Sequence, residues 1–351
     1  MKKFKHLLIK LLLITIGTSI PIVLTDQYMR FANLPKNKSR VMLLSGGKLD
    51  SSRIGIRSYT PNSSLLQSAI YGDILTYSYE FKTDQNGFRI SNECKDNSPK
   101  NNLVAITGDS FTEGQGSSIS WIASIQKKLC NQGKDSINAA IAGYGIEGMQ
   151  KSLVYAYERL GARKAIVAII PENIQRIDTR MVSNEICSMY KSTTCGLRTT
   201  WWHHPKNLSE KELISFAKKK NKTGIIPALK SFGLHLRRRI LSYSSRDTKI
   251  FQKNIDAMRS IISMFGPNNV SIIILPTKID RNLNSSFKNK TIRNQKLKIF
   301  LDSINENVTV KDIRDCPLDQ RHFILNDGHP NESGHKLLGI CASSKISKEY
   351  N

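Results

Sequence analysis

A serine hydroxyl becomes a nucleophile when a neighbouring base takes its proton, and the reaction runs when fixed donors hold the oxyanion that follows. This 351-residue chain carries residues of those types at the ends of apolar runs. Gly108, Asp109 and Ser110 follow the run Leu103 to Ile106, so Ser110 is the candidate nucleophile. His329, in Asp327-Gly328-His329-Pro330, is the candidate base. Asp327 is placed to hold its imidazole in one tautomer and offset the charge it acquires. The backbone N–H groups of Ser110 and Gly143 and the side-chain amide of Asn173 are candidate oxyanion donors. Gly143 suits that role because a residue without Cβ lets the backbone approach a ligand closely. This chemistry needs no cofactor and no metal.

These residues must be brought to one place, and the element pattern supplies a way. Apolar runs read as strands at Leu103 to Ile106, Ser136 to Ile141, Lys164 to Ile170, Val270 to Leu275 and Val308 to Val310. Helical spacing follows at Trp121 to Leu129, Ile146 to Leu160, Asn254 to Met264, Gln295 to Ile304 and Glu332 to Ser347. The alternation predicts an α/β fold, a three-layer α/β/α sandwich around a doubly wound five-stranded parallel sheet. Ser110, Gly143 and Asn173 then all lie beyond carboxyl ends of strands, where open α/β sheets bind ligands.

The domain boundaries expected are 1–25, a cytoplasmic tail and membrane span; 26–101, a lead-in of short strands covering an edge of the sheet; and 102–351, the α/β domain. Within the last, the alternation lapses over about 178–249. This basic insert reads as a cap or side lobe, with Trp201, Trp202, His203 and His204 packing inside it. His335 reads as a packing or capping residue of the last helix. Glu113 and Glu172 lie near the site as solvated carboxylates.

Lys and Arg number 53 against 28 Asp and Glu, a net charge of +25 concentrated between Lys206 and Phe300. Such a balance suits an anionic partner or a solvated basic surface. No zinc-ligand spacing, recognition-helix signature or aromatic RNA-binding motif points to nucleic acid. At the N-terminus, Lys2, Lys3, Lys5 and Lys10 precede or interrupt the apolar run Leu7 to Leu24. That pattern predicts an uncleaved N-terminal transmembrane helix with the rest of the chain outside the cytoplasm. Six cysteines fit an oxidising compartment, and Cys187 with Cys195 is the candidate disulfide. Cys94, Cys130, Cys316 and Cys341 are open to pairing or to burial as thiols.

The order Gly-Asp-Ser110, Gly143, Asn173, His329 resembles the four sequence blocks of the SGNH (GDSL-type) hydrolase superfamily. The resemblance runs from about Phe88 to Ser347 and leaves the insert unmatched. Asn86-Gly87-Phe88-Arg89 is similar to membrane-anchored members that act on envelope polysaccharides. The third block departs from the usual Gly-x-Asn-Asp, reading Pro171-Glu172-Asn173-Ile174, and Asp327 stands two rather than three residues before His329. The resemblance implies an esterase acting on O-acyl, foremost O-acetyl, groups of a cell-envelope glycan. The same residues serve an O-acyltransferase, for which a membrane partner donating the acyl group is expected. An inactive scaffold that binds an acidic polymer is the alternative from another class.

Overall fold

In a computed structural model of the chain, the residues described are 17, 19–29, 40–50, 56–71, 74–91, 103–176, 180–182, 185–188, 197–220, 246–281, 287–304, 307–325 and 327–346. Five strands precede the alternation: β1 (Arg40–Ser45), β2 (Leu49–Asp50), β3 (Ser58–Tyr59), β4 (Ser64–Tyr71) and β5 (Ile74–Lys82). The alternation supplies β6 (Val104–Thr107), β7 (Ser136–Asn138) and β8 (Lys164–Ile169). The insert adds β9 (Arg180–Val182), β10 (Glu185–Ser188) and β11 (Leu197–His204), and β12 (Val270–Ile274) and β13 (Thr309–Asp312) complete the set.

β6, β7, β8, β12 and β13 form a parallel sheet in the order β13-β12-β8-β6-β7. Two strands lie on opposite sides of β6, so the order reverses there, and ligand crevices open at such a switch point. The continuous apolar runs of β8 and β12 are explained by burial on both faces. Alternate residues go to opposite layers, as the strand period of two requires. Val167, Ile169, Ile272 and Ile274 pack with the helices Ile146–Arg159 and Arg246–Phe265. Ile166, Ala168 and Ile273 pack with the helices Ile122–Asn131 and Glu332–Ile346. The three-layer, five-stranded expectation therefore describes the core.

The lead-in and the insert, separate in the sequence reading, share a second sheet. Its order is β5-β4-β1-β11-β10-β9, with β1 paired in parallel to β11 from Val41 opposite Thr200 to Ser45 opposite His204. β1 is buried on both sides. Met42 and Leu44 join the α/β core, whereas Val41 and Leu43 meet Leu213 and Ala217 of the helix Glu210–Lys220. The lead-in is thus half of a lobe, and it also covers the β7 edge of the parallel sheet, where Ile56 and Phe88 pack with Ile137 and Ala139 and the Asn138 amide donates to Ser91 Oγ at 2.9 Å. Trp202 packs edge-on against Phe216, and the Leu49 N–H donates to His203 Nε2 at 3.2 Å. These contacts are structural ones within the lobe.

No helix among the described residues is long and apolar enough to cross a membrane. Residues 1–16, the first part of the expected span, lie outside the described residues, while 19–29 are helical with Ile20, Ile22, Val23 and Leu24 exposed. The proposed Cys187–Cys195 pair also falls outside them, since Cys195 is not described. Cys316 and Cys341 form a disulfide with their Cα atoms 5.9 Å apart, and Cys130 is disulfide-bonded too.

Candidate active site

Strand β6 ends at Thr107, and the chain turns at Gly108 and Asp109 into a four-residue helix, Ser110–Glu113. Asp109 caps that helix by accepting the Phe111 N–H at 3.0 Å, which places Ser110 at its first position. Across the crevice the segment before the helix Glu332–Ile346 folds into a tight loop. The Asp327 N–H donates to Ile324 O at 3.1 Å, and the Ile324 N–H donates to His329 O at 2.9 Å. A bridge between Phe323 and Pro330 closes this loop, so Asp327 and His329 are held by backbone bonds before any side chain contributes.

The three side chains form one chain of hydrogen bonds. His329 Nε2 lies 2.7 Å from Ser110 Oγ, and His329 Nδ1 lies 2.6 Å from Asp327 Oδ1. Asp327 also accepts the His329 backbone N–H at 3.2 Å and the Tyr71 hydroxyl at 3.4 Å. Phe111 packs against the imidazole with ring centroids 4.9 Å apart. Ser110, Asp327 and His329 are 8%, 6% and 9% exposed, buried enough to strengthen their electrostatics yet open at one side. With Nδ1–H directed at Asp327, Nε2 is the unprotonated nitrogen that faces the serine.

The oxyanion donors divide. The N–H groups of Ser110 and Gly143 have no acceptor among the described residues. Gly143 has a φ of +81°, a conformation that a residue with Cβ adopts at a cost. The Ile141 N–H donates to Gly108 O at 3.3 Å, which sets the Gly143 loop against the Ser110 turn. Asn173, the third expected donor, already has partners. It is fully buried, and its amide donates to Asp109 Oδ2 at 2.9 Å and to Tyr144 O at 3.3 Å while its oxygen accepts the Ile170 N–H at 2.7 Å. In this arrangement Asn173 ties the serine turn to the Gly143 loop.

Several residues that the sequence reading passed over complete the site. Arg176 donates to Asp109 Oδ2 at 2.8 Å and to Tyr144 O at 3.1 Å. Asn254 bonds the carbonyls of Ile174 and Arg176 at 3.0 and 3.2 Å, fixing the turn that carries both Asn173 and Arg176. From the N-terminal lobe, Arg89 donates to Gly114 O at 2.8 Å and Ser117 O at 2.7 Å, and Tyr59 donates to Glu113 Oε1. Gly87, at a φ of +83°, lets the turn before Arg89 pack against the Tyr59 backbone, whose oxygen a Cβ there would meet. The signal for this bracing is Asn86-Gly87-Phe88-Arg89, which the sequence offers only as a resemblance to membrane-anchored members.

Glu113, read as solvated, is fully buried. Burial pushes its carboxyl up to about 7, against the pull of the Tyr59 hydroxyl, Arg89, the Ala142 backbone and His329. His335 lies buried in the last helix, where desolvation, helped by Arg89 and His329, holds its imidazole down at about 3.

Comparison with protein-family models and with curated proteins gives no match. Solved structures do resemble the chain. TesA has a TM-score of 0.41 at 11% identity, over 71% of this chain and 99% of its own. A catalytic mutant of Axe2, an acetylxylan esterase from Geobacillus stearothermophilus, has a TM-score of 0.40 at 11% identity, over 72% and 96%. A lipase/acylhydrolase from Enterococcus faecalis has a TM-score of 0.38 at 13% identity, over 70% and 95%. At such identities the chemistry rests on the site itself.

Proposed function

We propose that the chain is a serine esterase of the SGNH type. The observation that carries this is the 2.7 Å contact between Ser110 Oγ and His329 Nε2, backed by Asp327 at 2.6 Å. His329 takes the Ser110 proton as Oγ bonds to the ester carbonyl carbon, and the carbonyl electron pair moves onto oxygen. The Ser110 and Gly143 N–H groups hold that oxyanion. Collapse breaks the bond to the leaving oxygen, which receives the proton from His329 and departs as an alcohol. Water activated by His329 then releases the acid and restores Ser110.

Its substrate in this reading is an O-acyl ester, foremost an O-acetyl ester, of an envelope glycan. Support comes from the apolar run Leu7 to Leu24, the exposed Ile20, Ile22, Val23 and Leu24, and the Cys316–Cys341 disulfide, which suits an exported chain. A sugar hydroxyl in place of water makes the same site an O-acyltransferase fed by a membrane acyl donor. A fluorophosphonate probe tests the nucleophile. An adduct on Ser110 and acetate release from an O-acetylated glycan are expected. A folded protein that gives no adduct overturns the reading.

A further inference from the structure

The peptide that joins Ala142 to Gly143 presents two groups, the Ala142 carbonyl at one side and the Gly143 N–H at the other. Because a trans peptide is planar, fixing one fixes the other. The Ala142 carbonyl is held from outside the α/β core. Arg57 Nη1 donates to it at 3.1 Å, and Arg57 is buried.

Arg57 is itself fixed on the same loop. Its guanidinium lies over the Tyr144 ring, 4.4 Å from the centroid, and the Tyr144 hydroxyl donates to Arg57 O at 3.3 Å. Tyr144 O in turn accepts from Asn173 and Arg176, which also hold Asp109 under Ser110. Arg57, Tyr144, Asn173, Arg176 and Asp109 thus form a continuous path from the N-terminal lobe to the nucleophile turn.

We infer that Arg57 is a positioning residue of the oxyanion hole, aiming the Gly143 N–H and polarising it through the Ala142 carbonyl. A cation hydrogen-bonded to a carbonyl draws charge along the amide and makes its N–H a stronger donor, as cooperative hydrogen bonding requires. The effect is felt only where charge develops on the substrate oxygen, so it lowers the barrier without tightening substrate binding. This inference rests on the serine-esterase reading, in which Gly143 faces the oxyanion.

The test uses the full chain in detergent, with 4-nitrophenyl acetate as substrate, an arylboronic acid as a mimic of the tetrahedral state, and fluorophosphonate to count competent sites. Arg57→Met is expected to lower kcat by about 10- to 100-fold, in the range of weakened oxyanion donors, with KM changed less than about 3-fold. Boronate affinity falls with kcat, while the fraction of sites labelled at saturation stays that of the parent. Arg57→Lys, which keeps charge but not the planar fork, falls between the two. Tyr144→Phe, which removes the hydroxyl bond to the Arg57 carbonyl, gives a smaller loss of the same kind and serves if Arg57→Met does not fold. Variants whose kcat and boronate affinity stay within about 2-fold of the parent overturn the inference and leave the esterase reading intact, as does a loss confined to the labelled fraction. A parent protein that neither hydrolyses the ester nor labels at Ser110 overturns both.

Discussion

The Arg176 guanidinium and the Asp109 carboxylate meet at 2.8 Å beneath the turn that carries Ser110, and both are buried. Removing one partner leaves the other charge without compensation, which typically costs about 3–5 kcal/mol. Arg176→Met is therefore expected to lower the unfolding free energy by that order, read from urea denaturation.

Ser110→Ala and His329→Ala should each reduce ester hydrolysis by about 10⁴-fold or more. Because the two act as one unit, the double variant should be no slower than the singles. Steady-state rates on 4-nitrophenyl acetate check this, with circular dichroism to show that the fold is kept.

Glu113 and His335 give opposite pH dependences. The Glu113 carboxyl rises from 4.5 to about 7 on folding, so its favourable contribution is complete below pH 4.5 and is lost as pH rises through 7. The shift corresponds to about 3 kcal/mol. His335 falls from 6.5 to about 3, so its contribution is present above pH 6.5 and is lost as pH falls towards 3. Glu113→Gln should gain Tm relative to the parent between pH 4.5 and pH 8. A Tm difference that stays flat across that range would contradict the buried carboxyl.

The Cys316–Cys341 bridge closes a loop of sequence separation 25 that contains both Asp327 and His329. Loop-closure entropy assigns such a bridge about 3 kcal/mol. Replacing Cys316 and Cys341 together by Ala should lower Tm, and it should lower kcat at temperatures where the parent is fully folded, since the loop carries the base.

The core was legible because its signals are local. Val167 to Ile169 and Ile272 to Ile274 are apolar runs that belong only in a strand buried on both faces. Ser110 and His329 were legible as residue types that need one another. Asn173 was legible by its position after a strand, but no local pattern could reveal that its amide also meets Asp109 and Tyr144 O. Arg57 and Arg89 were missed for the same reason. Each acts on backbone carbonyls far along the chain, and a carbonyl has no identity in a sequence.

The parallel pairing of β1 with β11 also sets an order of assembly. As the chain is made, β1 finds β4 almost at once, yet its other edge stays open until Thr200 and its neighbours arrive after three strands of the core. Long-range parallel pairing is slow and leaves an aggregation-prone edge in the meantime. An N-terminal fragment ending before β11 therefore carries a sticky, half-built sheet, and nascent chains of that length are where a holding chaperone would find its grip.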